Sequence, residues 1–447
     1  MNRRSSNKAE TLRSLIRMLV DASEVIIKQW DAEDQPYLPG PVTGQVPSHE
    51  LFEARRIVLG ACDMCADLVQ DPLERLCEIS LSFLPARALH IVAEARIFDI
   101  LVEADPSLGM DIQDISHRTG INAGKLLRVL RCLCSLHIFA EVKPNRFANS
   151  STSQAVVGND PGGMSYTGSW KLPAILTHSV KTHSYSQRET AFQEAFQSDL
   201  TVFEYLQPER AETRRLESQT FSLAMVGLGQ LNRASILVDY PFQLLDGTTI
   251  VDVGGGVGSM SLELAKKLPS TRFILQDSDH VLQQASTVWS QELPEAVRMG
   301  RVQFMSHDFF TAQPVKGAET YLLRYILHAW SDESCVTILK HLKDAMSHRS
   351  RILIADHVLH STVESELLKS APAPLPANYG VAHMYINMHD LNIMSLMNGM
   401  ERTPDQWHAL AERAGLVIAR IWECRSSMCI TEMRLSEDYQ EGRGSKL

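Results

Sequence analysis

The stretch "TTIVDVGGGVGSMSLELAKKLP", residues 248–269, sets four glycines in five positions between a β-like run and a run of helix formers. A strand that ends in glycines and opens a helix is where a ligand meets backbone N–H groups. In an open parallel sheet, ligands lie beyond the carboxyl ends of the strands. Two cofactor classes compete for such a turn. The dinucleotide fingerprint G-x-G-x-x-G/A fits Gly254 and Gly256 but meets Ser259 at its third position. The stretch reads instead as acidic-x-G-G-G-x-G, with Asp252 followed by Gly254, Gly255, Gly256 and Gly258. An acid at the strand end, with no Lys or Arg in the loop, would repel a pyrophosphate. It would suit a sulfonium with an amino-acid tail. The bland alternative is a tight turn with capping aspartates nearby.

Asp277 ends the next β-like run, "RFILQD". A carboxylate there can accept from both hydroxyls of a ribose. "SHDFF" closes a third run, where Asp308 could accept from an adenine amino group with Phe309 against the ring. Together these are the parts needed to hold S-adenosyl-L-methionine. A fourth run leads into "LLRYILHAWSDE", which puts His328 just past a strand end on the same edge. A lone histidine is more often structural, but this position favours a general base. Removing a phenolic proton with imidazole crosses a gap of about 3.5 pKa units, so the base needs a carboxylate partner. Asp356, ending "RILIADH", and Glu401, in "NGMERTPDQW", are the candidates. Glu401 also precedes Thr403–Pro404, a helix N-cap and first position, where an acid is favourable for local reasons alone.

These residues need a scaffold. From residue 248 onward β-like runs alternate with helical ones, the pattern of an α/β fold with a parallel sheet and helices on both faces. Two last strands follow, "VIARIWECR" and "SMCITEMRL". Residues 74–150 read as short helices, a helix-turn-helix around Gly120–Ile121–Asn122, and a small wing, "AEVKPNRFANS". Winged helices often bind DNA, and Lys125, Arg128 and Arg131 form a basic stripe. Between Leu81 and Phe147, however, eight basic residues face seven acidic ones, so the unit has no electropositive footprint. The stripe is read as a solvated face and the unit as a packing or dimer element. Residues 9–32 and 49–72 read as helices joined by a Pro/Gly linker, 34–47, and residues 160–235 as largely helical.

The chain of 447 residues carries a formal net charge of −10, which disfavours nucleic-acid and anionic-membrane partners. The longest apolar runs read as too short to cross a membrane. The start shows no cleavable leader, and a cytoplasmic location is expected. Eight cysteines do not make a disulfide framework. Cys62 and Cys65 form a lone C-x-x-C on a helical pattern, read as thiols without a metal, and Cys132 with Cys134 likewise.

On the motifs "VDVGGGVGS", "LQD", "HDFF", "LLRYILHAWSDE", "LIADHVL" and "GMERT", the chain from about residue 75 to its end resembles the class I, caffeate-type S-adenosylmethionine-dependent O-methyltransferases of plants and fungi. The resemblance implies a Rossmann-like methyltransferase sheet, parallel with an antiparallel last strand, and a mostly helical winged-helix domain used to form a homodimer. It also implies a metal-independent reaction. By motif, Gly254, Gly255 and Asp277 would contact the cofactor, Asp308 and Phe309 the adenine, and Arg324 the cofactor's amino-acid end. His328 would be the base, flanked by Asp356 and Glu401. Two departures stand out. Arg324–Tyr325 replaces the usual Lys-Trp, and Ala329 replaces the usual Asp after the histidine. The expected domains are a helical extension, 1–73, read as a dimer-embracing or lid element, a winged-helix dimerisation domain, 74–160, and the methyltransferase domain, 161–447.

Phe221, Met225 and Met394 are candidate substrate contacts, because thioethers and a ring suit a flat aromatic acceptor, although Met at helical spacing is commonly core. A small aromatic, polyketide-type fungal metabolite with a phenolic hydroxyl is the expected substrate. The alternatives are a catalytically silent regulator that keeps the fold and uses the winged helix for DNA or a partner, and N- or C-methylation on the same fold.

Overall fold

The computed structural model describes residues 8–32, 46–158, 184–206 and 234–436. Most of the 34–47 linker, most of the 160–235 stretch, and both Phe221 and Met225 lie outside them. The described residues fall into two compact units. One holds residues 8–32, 53–158 and 206, and the other holds 46–52, 184–205 and 234–436.

In the first unit, α1 (Lys8–Ala32) buries Leu15, Ala22 and Ile26, spaced to lie on one face. α2 (His49–Val69) carries Cys62 and Cys65 as free thiols. α3 (Pro72–Ser80) starts at Asp71, whose carboxylate caps Leu73 and Glu74 N–H, and α4 (Phe83–Glu94) follows after a two-residue break. α5 (Ile112–Thr119) ends on Gly120 in the left-handed region, and Asn122 caps α6 (Ala123–Cys134). The wing is a three-stranded sheet in the order β1 (Met110–Asp111), β3 (Arg146–Asn149), β2 (Phe139–Lys143). The short β1 strand has no signal in the sequence pattern. Lys125, Arg128 and Arg131 are exposed, and Arg131 grips Glu141 of the wing with two N–H donors.

Pro72–Glu94 differs from expectation. By length and composition it is apolar enough to cross a membrane, an 18-residue window within it having a mean hydropathy of 1.4. Glu78 and Arg87 interrupt its apolar run, which is why the sequence pattern reads as shorter. Leu73, Leu76, Ile79, Phe83 and Leu84 are all at least half exposed. An apolar helix surface of that size marks an interaction face.

The second unit contains α7 (Ala191–Phe196) and is built on a seven-stranded sheet in the order β6-β5-β4-β7-β8-β10-β9. The strands are β4 (Thr249–Val253), β5 (Arg272–Asp277), β6 (Val302–Ser306), β7 (Thr320–Arg324), β8 (Arg351–His357), β9 (Leu416–Glu423) and β10 (Met428–Leu435). β4 to β8 pair in parallel, and β10, the last strand in the chain, runs antiparallel between β8 and β9. The period of two divides β4, β7 and β8 between two cores. Val251, Val253, Tyr321, Leu323, Ile352 and Ile354 face α10 (Asp332–Lys343) and α12 (Pro404–Ala414). Ile250, Leu322, Leu353 and Ala355 face α8 (Ser259–Lys267) and Trp289 of α9 (Asp279–Glu292). The chain leaves β4 toward one side and returns to β7 on the other, so the switch point falls between them.

The glycine turn is shaped mainly by its own neighbours. Gly254, Gly256 and Gly258 have positive φ. A Cβ on Gly258 would lie 2.7 Å from Trp289 Nε1, and one on Gly254 would lie 2.8 Å from Ile326 Cδ1. At Gly255 it would run into Leu275 and into the Asp252 carboxyl. Only Gly256 faces open space. A Gly255→Ala substitution is therefore expected to destabilise the protein by about 1–3 kcal/mol through overpacking, read as a lowered thermal midpoint.

Candidate active site

Two neighbouring strand ends and one loop deliver the side chains around His328. After β7, Tyr325 turns the chain with φ +57, a conformation that costs a non-glycine residue about 1 kcal/mol or more. The Tyr325 N–H donates to Asp356 Oδ1 at 2.8 Å, so the end of β8 holds this turn. The chain then enters the 3-10 helix Leu327–Ala329, which carries His328.

Glu401 arrives from the loop after α11 (Met384–Met397). That loop lies against the 3-10 helix, with Met400 N–H donating to the His328 carbonyl at 2.9 Å. The close approach requires Gly399, where a Cβ would collide with the His328 carbonyl oxygen. Asp390 Oδ1 accepts the Glu401 N–H at 2.7 Å. Arg402, fully buried, donates to the Leu327 and Trp330 carbonyls and to Asp332. Gln187 donates to the Ala329 carbonyl at 2.7 Å. Ala329 is itself buried, so the residue that departs from the family pattern contributes its backbone here.

His328 Nδ1 lies 3.0 Å from Glu401 Oε1, and His389 Nδ1 of α11 lies 2.8 Å from the same oxygen. The two imidazoles are nearly parallel, 5.7 Å apart. A carboxylate only accepts, so each Nδ1 carries its proton and donates it. That tautomer leaves His328 Nε2 with a free lone pair. Burial pushes His328 down, but the Glu401 charge and hydrogen bond, with Asp356 adding to them, bring it above the ordinary imidazole value. Burial raises Glu401, yet His328 and His389 hold it well below the usual carboxylate range. These three side chains have donor atoms within 4.8 Å of one another, a spacing that would also suit a cation. Two N–H donors on one oxygen satisfy that spacing with protons alone.

Of the two candidate carboxylates, Glu401 touches His328 and Asp356 does not. Asp356 Oδ1 is taken by Tyr325, its Oδ2 is buried without a partner, and burial raises it to about 7. Asp356 therefore acts on His328 through the turn it holds and through its field. Its neighbour His357 donates Nδ1–H to the Ser427 carbonyl at 2.8 Å, and burial lowers it to about 4.

At the other strand ends, Asp277 accepts Gly256 N–H at 2.9 Å on Oδ2 and Ser278 N–H at 2.7 Å on Oδ1. Ser278 Oγ–H also donates to Oδ1, at 3.3 Å. With about two lone-pair sites on each oxygen, one stays open on Oδ2 for a hydroxyl. Asp308 is exposed and caps Phe310 N–H, while Phe309 and Ile326 flank Gly254. Arg324 donates to Ser259 Oγ at 2.9 Å, where α8 begins after the glycine turn. Asp252 does not line the ligand side. It is buried under the turn, bound by Ser261 Oγ at 2.5 Å, and burial raises it to about 6. Its position at the strand end suggested a counter-charge for a sulfonium, but the glycine turn folds over it. Met394 is half-buried on α11. His389, Asp390, Gly399 and Arg402 escaped the sequence reading. Gly399 and Arg402 lie inside "GMERT", and His389 and Asp390 lie at the methionine-rich helix, but none of them received a role there.

A doubly wound sheet with a glycine turn and acids at successive strand ends beside its switch point, and a carboxylate-anchored imidazole next to them, defines a methyltransferase-type site. Residues 176–417 match the O-methyltransferase domain family, and residues 77–159 match the O-methyltransferase dimerisation domain. The chain is 37% identical to O-methyltransferase gedA of Aspergillus terreus over 96% of its own length and 97% of that protein's. It is 38% identical to O-methyltransferase tpcA of Aspergillus fumigatus, with the same two coverages. In fold it is similar to the solved mitomycin 7-O-methyltransferase MmcR, at 23% identity and a TM-score of 0.65, covering 84% of this chain and 99% of that one. The chain belongs to the S-adenosylmethionine-dependent O-methyltransferases.

Two outcomes follow from this geometry. A Gly399→Ala substitution should push the Glu401 loop off the 3-10 helix and cost about 10²-fold or more in kcat, because misplacing a side chain at a reaction site by about 1 Å is that costly. Steady-state kinetics reads it. His357 takes its proton near 6.5 when unfolded and near about 4 when folded. The unfolded chain binds more protons between those values, so stability should fall as pH drops through that window, by about 3 kcal/mol in full, and be regained above pH 6.5. Denaturant midpoints at pH 7.5 and 4.5 test this, and His357→Leu should flatten the difference.

Proposed function

We propose that this enzyme methylates a phenolic hydroxyl of an aromatic, polyketide-type fungal secondary metabolite, with His328 as general base. The observation that carries the reading is the His328–Glu401 contact at 3.0 Å, which leaves Nε2 free at the strand edge. When bound, S-adenosylmethionine supplies an electrophilic methyl group on a sulfonium. Gly254, Gly255, Asp277, Asp308, Phe309 and Arg324 would hold it, and the open lone-pair site on Asp277 Oδ2 fits a ribose hydroxyl. His328 Nε2 takes the acceptor's proton as the nucleophile forms. Without help that transfer is uphill by about 5 kcal/mol, from a phenol near ~10 to an imidazole near ~6.5. Glu401 narrows the gap by stabilising the imidazolium, and Asp356 keeps the turn in place.

Met394 together with Phe221 and Met225 would line the acceptor's apolar side. The matched dimerisation domain and the exposed apolar residues of α3 and α4 support a homodimer formed through that face. The same match accounts for the apolarity of Pro72–Glu94 without a membrane, in keeping with a cytoplasmic enzyme. Three domains, 1–73, 74–160 and 161–447, remain the proposed division.

Transfer of labelled methyl from S-adenosylmethionine to a panel of phenols tests the reading, with product mass and fragmentation separating O- from N- or C-methylation. His328→Ala should lose about 10²–10⁴-fold in kcat with cofactor affinity little changed, and Glu401→Gln should fall between that variant and wild type. Normal turnover by the alanine variant would remove His328 from the role. A silent regulator would methylate nothing and would bind DNA with a steep salt dependence.

A further inference from the structure

His389 is the imidazole that touches Glu401 beside His328 and that the proposed reaction leaves unused. It sits on α11, its side chain almost buried, and its Nδ1–H shares Glu401 Oε1 with His328. The helix holds Glu401 twice, through the His389 ring and through Asp390 Oδ1 on the backbone N–H. One carboxylate oxygen therefore serves two N–H donors, while Oε2 is buried with no partner.

A buried histidine against a buried carboxylate faces a difficulty as a base. The partner that stabilises its protonated form can also hold that form permanently, and an imidazolium cannot accept a proton. A second donor on the same oxygen weakens this attraction without removing the carboxylate. We propose that His389 is a positioning residue that shares Glu401 with His328, so that His328 remains unprotonated at operating pH while Glu401 still orients it. This rests on His328 being the base.

The surroundings agree. His389 meets Glu401 from the loop after α11, His328 from the 3-10 helix, His357 from β8 at 4.9 Å, and Tyr385 and Asp390 on its own helix. Asp356 and Arg402 act on the same cluster. His357, neutral to about pH 4, brings no positive charge to the ring it abuts. Two positive charges 5.7 Å apart repel by about a hundredfold in equilibrium at an effective permittivity near ~20, so the stacking of the two rings opposes a second positive charge beside His328.

The test compares His389→Leu, which fills the space and removes the donor, with His389→Asn, which restores an N–H donor that does not titrate. The readout is the pH dependence of kcat/KM in the intact enzyme with a turned-over phenol, alongside cofactor affinity by calorimetry. In the leucine variant, Glu401 serves His328 alone and the acid limb should move to higher pH by about one unit, the worth of a hydrogen bond to a charged group. The alkaline plateau should stay within about threefold, and the asparagine variant should bring the limb back to within ~0.3 unit of wild type. Should the leucine variant fail to fold, His389→Met takes its place in the same comparison. A leucine profile that superimposes on wild type, a uniform loss at every pH, or an asparagine variant that leaves the limb displaced would each overturn the proposal. Failure of the underlying reading looks different, because His328→Ala would then turn over normally whatever position 389 holds.

Discussion

The hydrogen bond between His328 and Glu401 is the constraint around which the second unit is arranged. It joins a strand-end turn to a loop 73 residues further along the chain, and both partners are buried. An ionised carboxylate withdrawn from water needs compensation from charge or hydrogen bonds, and here two imidazoles provide it. The result is a basic nitrogen of fixed tautomer and orientation, which an exposed histidine would lack.

Much of the surrounding structure keeps those two side chains in register. Asp356 secures the left-handed residue Tyr325, so β8 governs how β7 hands over to the 3-10 helix. Arg402 ties that helix to the residue next to Glu401 by donating to Leu327 and Trp330 carbonyls and to Asp332. Gly399 allows the two backbones to touch. Asn398, in turn, donates to the carbonyls of Ser186 and Glu189, which fastens the end of α11 to the 184–190 segment. Each of these contacts fixes backbone, and together they leave the imidazole little freedom.

The glycine turn shows how far a local pattern reaches. Four glycines after a β-like run are legible as a tight strand-to-helix turn, and Asp277 at the following strand end is legible as its companion. Why side chains are excluded at Gly254, Gly255 and Gly258 is not legible, because apart from Asp252 the obstructing atoms belong to Leu275, Phe309, Ile326 and Trp289, distant in sequence. Asp252 has the same problem. Its place at the strand end is local information, but whether it faces solvent or the space beneath the turn depends on Ser261 and on the packing of α8. Likewise, His389 stands among methionines at helical spacing and looks like a core position until the helix is docked beside Glu401.

The sequence by itself determined the alternation of strands and helices, the switch-point glycines, the acids at successive strand ends and the histidine beyond β7. Those features arise from periodicity and turn chemistry, which act between residues a few positions apart. Tertiary structure alone decided which carboxylate meets His328, that a second histidine shares it, and that Asp252 is enclosed. Those are contacts between segments as far apart as residues 328, 389 and 401. They form only when strand order and helix docking bring the segments together, and no local propensity encodes that distance.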